Sequence, residues 1–187
     1  PYMANLVSTN YTWGSNYTKA KVGYYFTTMI GYNLDAANNT NYRNAALGYV
    51  HYIHGVNPTA FAYLTNMSAY GAENSVNELF HSWFMDGSAL WDRVGTSTYG
   101  PAPGYLTGGP NSYYSLDGCC PAGCGGLNSL CNTAAVTPPI GQPVQKSYKD
   151  WNTSWPQDSW SVTEPSTGYQ GGWIRLISKF TGSGTCS

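Results

Sequence analysis

Glu164 is the residue of this chain best equipped for chemistry. It stands in SWSVTEPSTGYQGGWIRLISKF, close to Trp160, Val162 and Pro165 and at the head of a helical pattern. A carboxyl among apolar neighbours is disfavoured as an anion and tends to keep its proton, the state that a general acid needs. It is one of nine acidic residues in a chain only 9% charged. The carboxyls that could complement it, Asp86, Asp92, Asp117, Asp150 and Asp158, are scattered singly through predicted loops, and Asp150 and Asp158 read equally as turn residues. Glu164 itself reads alternatively as a cap on the first turn of the following helix. Each candidate therefore depends on the elements that would carry it.

Three segments have helical periodicity. Over 15–32, Tyr17, Lys21, Tyr24, Tyr25 and Thr28 recur at three- and four-residue steps, with Ser15 as a cap and Gly31 near the end. Over 41–54, Tyr42, Ala46, Tyr49, Val50 and Ile53 share one face before Gly55 and Asn57-Pro58. Over 167–180 the stripe is Tyr169, Trp173, Leu176, Ile177 and Phe180, with Gly182 beyond it and Gly171 and Gly172 weakening its first turn. The hundred or so residues between the second and third helices are rich in Gly, Pro, Asn and Ser, with a short helix expected around 75–85. Loops of such length are usually functional. No strand-like alternation, internal repeat or charged linker divides the chain. Three or four helices leave apolar stripes that need further helices to cover them.

Composition narrows the partner. At 187 residues, 42% hydrophobic and 16% aromatic, the chain can bury a sizeable core. A net charge of −1 provides no basic stripe for nucleic acid or an anionic membrane. No apolar run is long enough to span a bilayer, and no leader pattern opens the sequence, so the chain reads as soluble and already processed. Seven Trp and seventeen Tyr among many Asn, Gln, Ser and Thr suit a carbohydrate, whose C–H faces pack on rings while its hydroxyls take hydrogen bonds. Sequons at Asn10, Asn16, Asn38, Asn66 and Asn152 point to secretion. So do the cysteines: Cys119, Cys120, Cys124 and Cys131 crowd one Gly/Pro-rich loop and read as two local disulfides, with Cys186 free or bridged elsewhere. Zinc is the rival reading, but the cluster lacks paired CxxC spacing and a nearby histidine.

Several separated stretches, in order, resemble one family. WGSN, YNLDAANNTNYRNAALGYVHYIHGVNP, TAFAYLT, YGAENSVNELFHSWF, GPAPGYLTGGPN and SYKDWNTSWPQDSWSVTEPSTGYQGG together look like the C-terminal part of the catalytic module of family-9 glycoside hydrolases, cellulases built as (α/α)6 barrels. The resemblance implies an all-α fold, the C-terminal part of an (α/α)6 barrel with long, disulfide-stapled loops, and makes 1–187 the C-terminal portion of one catalytic domain. It makes Glu164 the general acid that protonates the glycosidic oxygen. It places His81 and Tyr169 against the sugar, with Trp83 as a stacking platform where the family's Arg is expected, and leaves His51 and His54 structural. The chain departs from the family pattern at Gln170, where Asn is usual, and at Asp158-Ser159, where an Asp pair is usual.

An inverting glycosidase also needs a base carboxylate, and the family's DAGD-like motif, which lies upstream, does not occur here. The resemblance thus implies an endo-β-1,4-glucanase acting on cellulose or a related β-glucan, completed by an N-terminal portion or another chain. The alternatives are a non-catalytic carbohydrate-binding module using Trp83, Trp91, Tyr113 and Tyr169, or an extracellular assembly protein with Cys186 bridging subunits. No cofactor is required. Structural calcium is compatible with the family, although no Asp-rich loop has an identifying ligand count.

Overall fold

The protein is described from a computed structural model that covers residues 5–80, 87–116 and 136–182. Its main elements in chain order are α1 (Ser15–Gly31), α2 (Asn39–Ile53), β1 (Ala62–Thr65), β2 (Ser75–Val76), a single-turn helix α3 (Trp160–Thr163) and α4 (Thr167–Ile177). The three periodic segments are helices, and α1 packs against both α2 and α4. The cysteines all lie outside the described residues, so the expected staples do too.

The buried face of α1 differs from its tyrosine stripe. Asn16, Lys19, Ala20 and Gly23 are buried, whereas Tyr17, Lys21, Tyr24 and Thr28 are only partly covered and Tyr25 is exposed. The reason is close helix approach: a Cβ on Gly23 would stand 2.9 Å from Leu176 and 3.0 Å from Tyr49, so α2 and α4 meet α1 over its small residues. Ser15 does not cap the helix either. The cap position is Gly14, with φ of 71°, and the Ser15 hydroxyl donates to the carbonyl of Pro110 at 2.7 Å. On α2, Ala46, Tyr49, Val50 and Ile53 face the core as expected, joined by Tyr52. On α4, Trp173 and Leu176 are buried, with Tyr169, Ile177 and Phe180 packed around them.

Two strands appear where alternation gave no sheet. β1 is buried along its whole length, so it lacks the alternation that marks a half-exposed strand. It pairs in parallel with β2, Ala62 opposite Ser75 and Thr65 opposite Val76. The helix expected at 75–85 is thus a strand at its start and is not helical through residue 80. On the other side of β1, Leu64 bridges Leu106 in antiparallel sense. Thr107 donates to Tyr63 O at 3.1 Å, and Gly104 to Thr65 O at 2.8 Å. The Gly/Pro-rich segment is therefore drawn in as a third, irregular strand, which carries it toward α3 and α4.

Lys19 lies in this core with no exposed surface, its ammonium 4.2 Å from the Tyr52 ring centre and 5.4 Å from that of Tyr11. Burial lowers its pKa to about 8.

Candidate active site

Glu164 follows α3 directly and turns the chain from helical to extended backbone, with φ of −67° and ψ of 131°. Its N–H donates to Trp160 O at 3.1 Å. Ser166 then caps α4, its hydroxyl accepting from the N–H of Tyr169 at 3.1 Å. The carboxyl thus sits on a two-helix corner, with its own N–H bonded back to α3 on one side and the Ser166 cap of α4 on the other. Val162 and Thr163 are buried beneath the corner, while Glu164 and Pro165 are partly exposed. Of the neighbours expected to desolvate the carboxyl, Val162 belongs to the core.

Residues 104–112 form a strap that fixes this corner. Gln170 clamps it through Leu106: the side-chain oxygen accepts from Leu106 N and the side-chain nitrogen donates to Leu106 O, both at 2.8 Å. Gly109 N donates to Val162 O at 2.9 Å, and the Asn111 amide donates to Ser161 O at 2.8 Å. A Cβ on Gly108 would stand 2.8 Å from Val162 O and 3.4 Å from Glu164 O, so only glycine permits this approach. From the other side, Asn16 N donates to Gly108 O at 3.0 Å and its side-chain nitrogen to Thr107 O at 3.2 Å. Ser112 donates twice to Tyr11 O. The strap therefore ties the N-terminal end of α1 to the turn that carries Glu164.

Tyr169 is an expected site residue that, among the described residues, couples electrostatically to Glu164. Burial raises its pKa, and the Glu164 charge raises it further. A phenol so shifted stays a hydrogen-bond donor at neutral pH. Its ring stacks on Tyr17, centres 5.6 Å apart at 23°, and its hydroxyl lies where a Cβ on Gly14 would be 2.6 Å away. Tyr17 in turn lies over Gly172, where a Cβ would come within 2.6 Å of the ring. The glycine that weakens α4 as a helix thus makes room for the stack beside the acid.

A cleft of about 270 Å³ opens from α3, lined by Thr12, Trp13, Asn111, Tyr113, Asp158 and Trp160. Trp13 and Tyr113 remain 51% and 59% exposed, enough to offer rings to a ligand. Trp13 is absent from the site residues read from sequence, although it opens the WGSN stretch. Asp158 is 7% exposed and holds a left-handed backbone with φ of 46°.

Two further candidate carboxyls have settled surroundings. Asp150 accepts from both the backbone and side-chain nitrogens of Asn77 at 2.8 Å; burial raises its pKa, and those bonds and Arg93 oppose the rise. Asp92 accepts from Gly87 N at 3.0 Å in an exposed turn. Asp86 and Asp117 lie outside the described residues, as do His81 and Trp83. Phe80 packs edge-on against Trp160 at 5.1 Å, which brings the chain up to position 80 against α3. His54 is exposed at the end of α2, its ring edge-on to Trp173 at 5.4 Å, and the partial burial of its ring and then His51 lower its pKa.

These placements accord with one family, described as glycosyl hydrolase family 9, which matches residues 2–177. The chain belongs to glycosyl hydrolase family 9. The fold is similar to that of a thermostable endoglucanase from Alicyclobacillus acidocaldarius, at 20% identity and a TM-score of 0.59 over 93% of this chain and 26% of that one. A zinc-binding triple mutant of a GH family 9 endoglucanase gives 20% identity and a TM-score of 0.61 over 96% and 26%. A GH9 protein from Bacteroides ovatus gives 21% and 0.54 over 92% and 22%. The chain spans about a quarter of the length of these proteins. A search of curated proteins found no match.

Other expectations within this family 9 chain meet the structure unevenly. Asn16 is fully buried with its amide bonded to the strap, so a glycan has no room there. The Asn66 amide is held by the carbonyls of Tyr99 and Pro101, both at 2.9 Å, and that of Asn38 by Asp35 at 2.8 Å. Asn10 is exposed and Asn152 partly so. Among the described residues no group of three or more His, Cys, Asp or Glu side chains converges to hold a metal, so calcium has no such ligand set there. Among the same residues no helix is long and apolar enough to cross a membrane.

Proposed function

We propose that this chain is the acid-bearing, C-terminal portion of a family 9 catalytic module that hydrolyses cellulose or a related β-1,4-glucan with inversion, and that Glu164 is its general acid. The observation that supports the reading is the corner itself: the carboxyl that the resemblance makes the acid stands on a turn cross-tied to a Gly/Pro-rich strap, with Tyr169 coupled to it. Glu164 gives its proton to the glycosidic oxygen as the C–O bond breaks, so the leaving chain departs as an alcohol. A water, deprotonated by a base carboxylate, attacks the anomeric carbon from the opposite face. In this reading the base is an aspartate of the upstream DAGD-like motif that the resemblance implies; among the described candidates, Asp150 and Asp92 are engaged elsewhere and Asp158 is nearly buried.

In the same reading Tyr169 donates to a sugar hydroxyl or to the Glu164 carboxylate, and His81 and Trp83 contact the sugar. Trp13 and Tyr113 wall the path of the chain with rings. The protein is secreted, its loop stapled through Cys119, Cys120, Cys124 and Cys131, and glycosylated at exposed sequons such as Asn10.

The test uses the complete catalytic module. Glu164→Gln lowers hydrolysis of soluble β-glucan by about 10²- to 10⁴-fold. It spares a dinitrophenyl cellobioside, whose leaving group needs no proton. Proton NMR of the first product gives the α-anomer. Unchanged glucan hydrolysis in Glu164→Gln removes the acid role, and a native module that binds glucan without turnover supports the non-catalytic binding reading.

A further inference from the structure

We propose that Trp91 and Tyr99, with Leu90 beside them, form an additional polysaccharide-binding platform that takes the C–H face of a neutral glycan chain. The two rings stack with centres 4.7 Å apart at 28°. Even so, Trp91 is 46% exposed, Tyr99 59% and Leu90 45%. Single exposed apolar residues are ordinary, but three adjoining ones on an internally bonded loop are not.

The loop that carries them is held by its own backbone. Tyr99 N donates to Leu90 O at 2.8 Å and Thr98 N to Ala89 O at 3.0 Å, which sets positions 90 and 99 side by side. Ser88 Oγ accepts from both Leu90 N and Trp91 N at 3.1 Å. The rings are therefore presented in a fixed arrangement, so binding costs little ordering entropy.

Charge and size indicate the occupant. Asp92 is bonded to Gly87 N, and Arg93 reaches Glu78 at 3.9 Å, so the charges flanking the rings are engaged within the chain. A stable protein interface needs roughly 800 Å² and some 20 residues on each side. Three side chains fall far short of that, whereas a single sugar ring matches the outward face that the stacked pair leaves open. None of the three residues lines the cleft that opens from α3. The choice of a glycan rests on the family 9 reading, but not on Glu164 being the acid.

The experiment is native electrophoresis of the complete catalytic module in gels containing hydroxyethylcellulose, xylan or mannan, using Trp91→Ala, Tyr99→Ala, the double variant and Trp91→Phe. Each alanine weakens retardation by about tenfold, the scale of one aromatic anchor. Trp91→Phe keeps most of it, and kcat on a short aryl cellobioside stays at the wild-type value. Circular dichroism melts identify any variant that fails to fold, and Tyr99→Ala then carries the test. Wild-type retardation in a folded double variant overturns the platform, as does a wild-type module that no polysaccharide retards. Retardation by xylan or mannan alone, lost in the alanine variants, upholds the platform while counting against the glucan substrate. Unchanged hydrolysis in Glu164→Gln counts against the acid and leaves this result standing.

Discussion

The strap of residues 104–112 and the loop of residues 87–100 adjoin in sequence and are held in opposite ways. Apart from a local bond at Asn111, the strap's side-chain bonds run to partners 40 to 101 residues away, from Thr65 to Tyr11. The side-chain bonds within the loop span 2 to 9 residues. The strap's shape is thus a property of the whole fold, and the corner bearing Glu164 inherits it. The loop closes largely on itself, with outside ties from Val94 N to Asn77 O, from the Asn66 amide to Tyr99 O and through the Arg93–Glu78 pair. A catalytic acid must be placed against groups from distant segments, whereas a binding platform need only be rigid and exposed.

The contrast breaks most visibly at glycine. Gly109→Ala would drive a Cβ into the Asn16 amide at a backbone φ of 98°, and is expected to cost about 3 to 4 kcal/mol in thermal or urea unfolding. Gly95→Ala in the loop has φ of 82° but nothing within 4 Å, so about 1 kcal/mol is expected. Equal losses at the two sites would erase the distinction.

Gln170→Leu comes next. It strands the N–H and carbonyl of a fully buried Leu106, at about 2 to 3 kcal/mol. If the clamp positions the acid, glucan hydrolysis below the melting temperature falls more than turnover of an activated aryl glycoside. Equal falls on both substrates would reduce Gln170 to a stability role.

Lys19 sharpens the comparison through pH, since it faces Tyr11, whose carbonyl anchors the strap. With a folded pKa of about 8 against an ordinary 10.5, the unfolded chain holds the proton that the folded chain has shed between those values. Stability therefore rises with pH from about 8 toward 10, by about 2 kcal/mol once the opposing attraction of the rings is allowed for. Burial lifts Tyr11 and Tyr49 to about 12, so above pH 10 unfolded tyrosines ionise first and stability falls. Lys19→Met should abolish the rise and keep the fall in urea melts across pH. The smallest effect is Ser88→Ala, about 0.5 to 1 kcal/mol, because the two N–H groups it leaves lie in an exposed loop where water replaces the hydroxyl.

Periodicity made α2 and α4 legible because their buried faces are apolar. On α1 it found the helix and chose the wrong face, since Asn16, Lys19 and Gly23 are buried for hydrogen bonding, ring contact and close approach, none of which a hydrophobic pattern records. β1 escaped because a strand buried on both faces has no alternation. At the site, the resemblance singled out Glu164 and Tyr169. It could register Gln170 only as a departure, because its partner, Leu106, is 64 residues away. Trp13 was written in the opening WGSN stretch, but its place on a cleft wall follows from the strap that brings residues 111 and 113 beside it.

By itself the sequence determined the three long helices, the neutral and aromatic character suited to a carbohydrate, and the motif order that marks the family. Those properties are local or additive along the chain. Tertiary structure decided which face of α1 is inside, that the Gly/Pro-rich segment becomes a strap joined to β1, and that Gln170 clamps it to the helix after Glu164. Each of these joins backbone groups far apart in sequence, and such bonds form only once burial has removed water as their alternative partner.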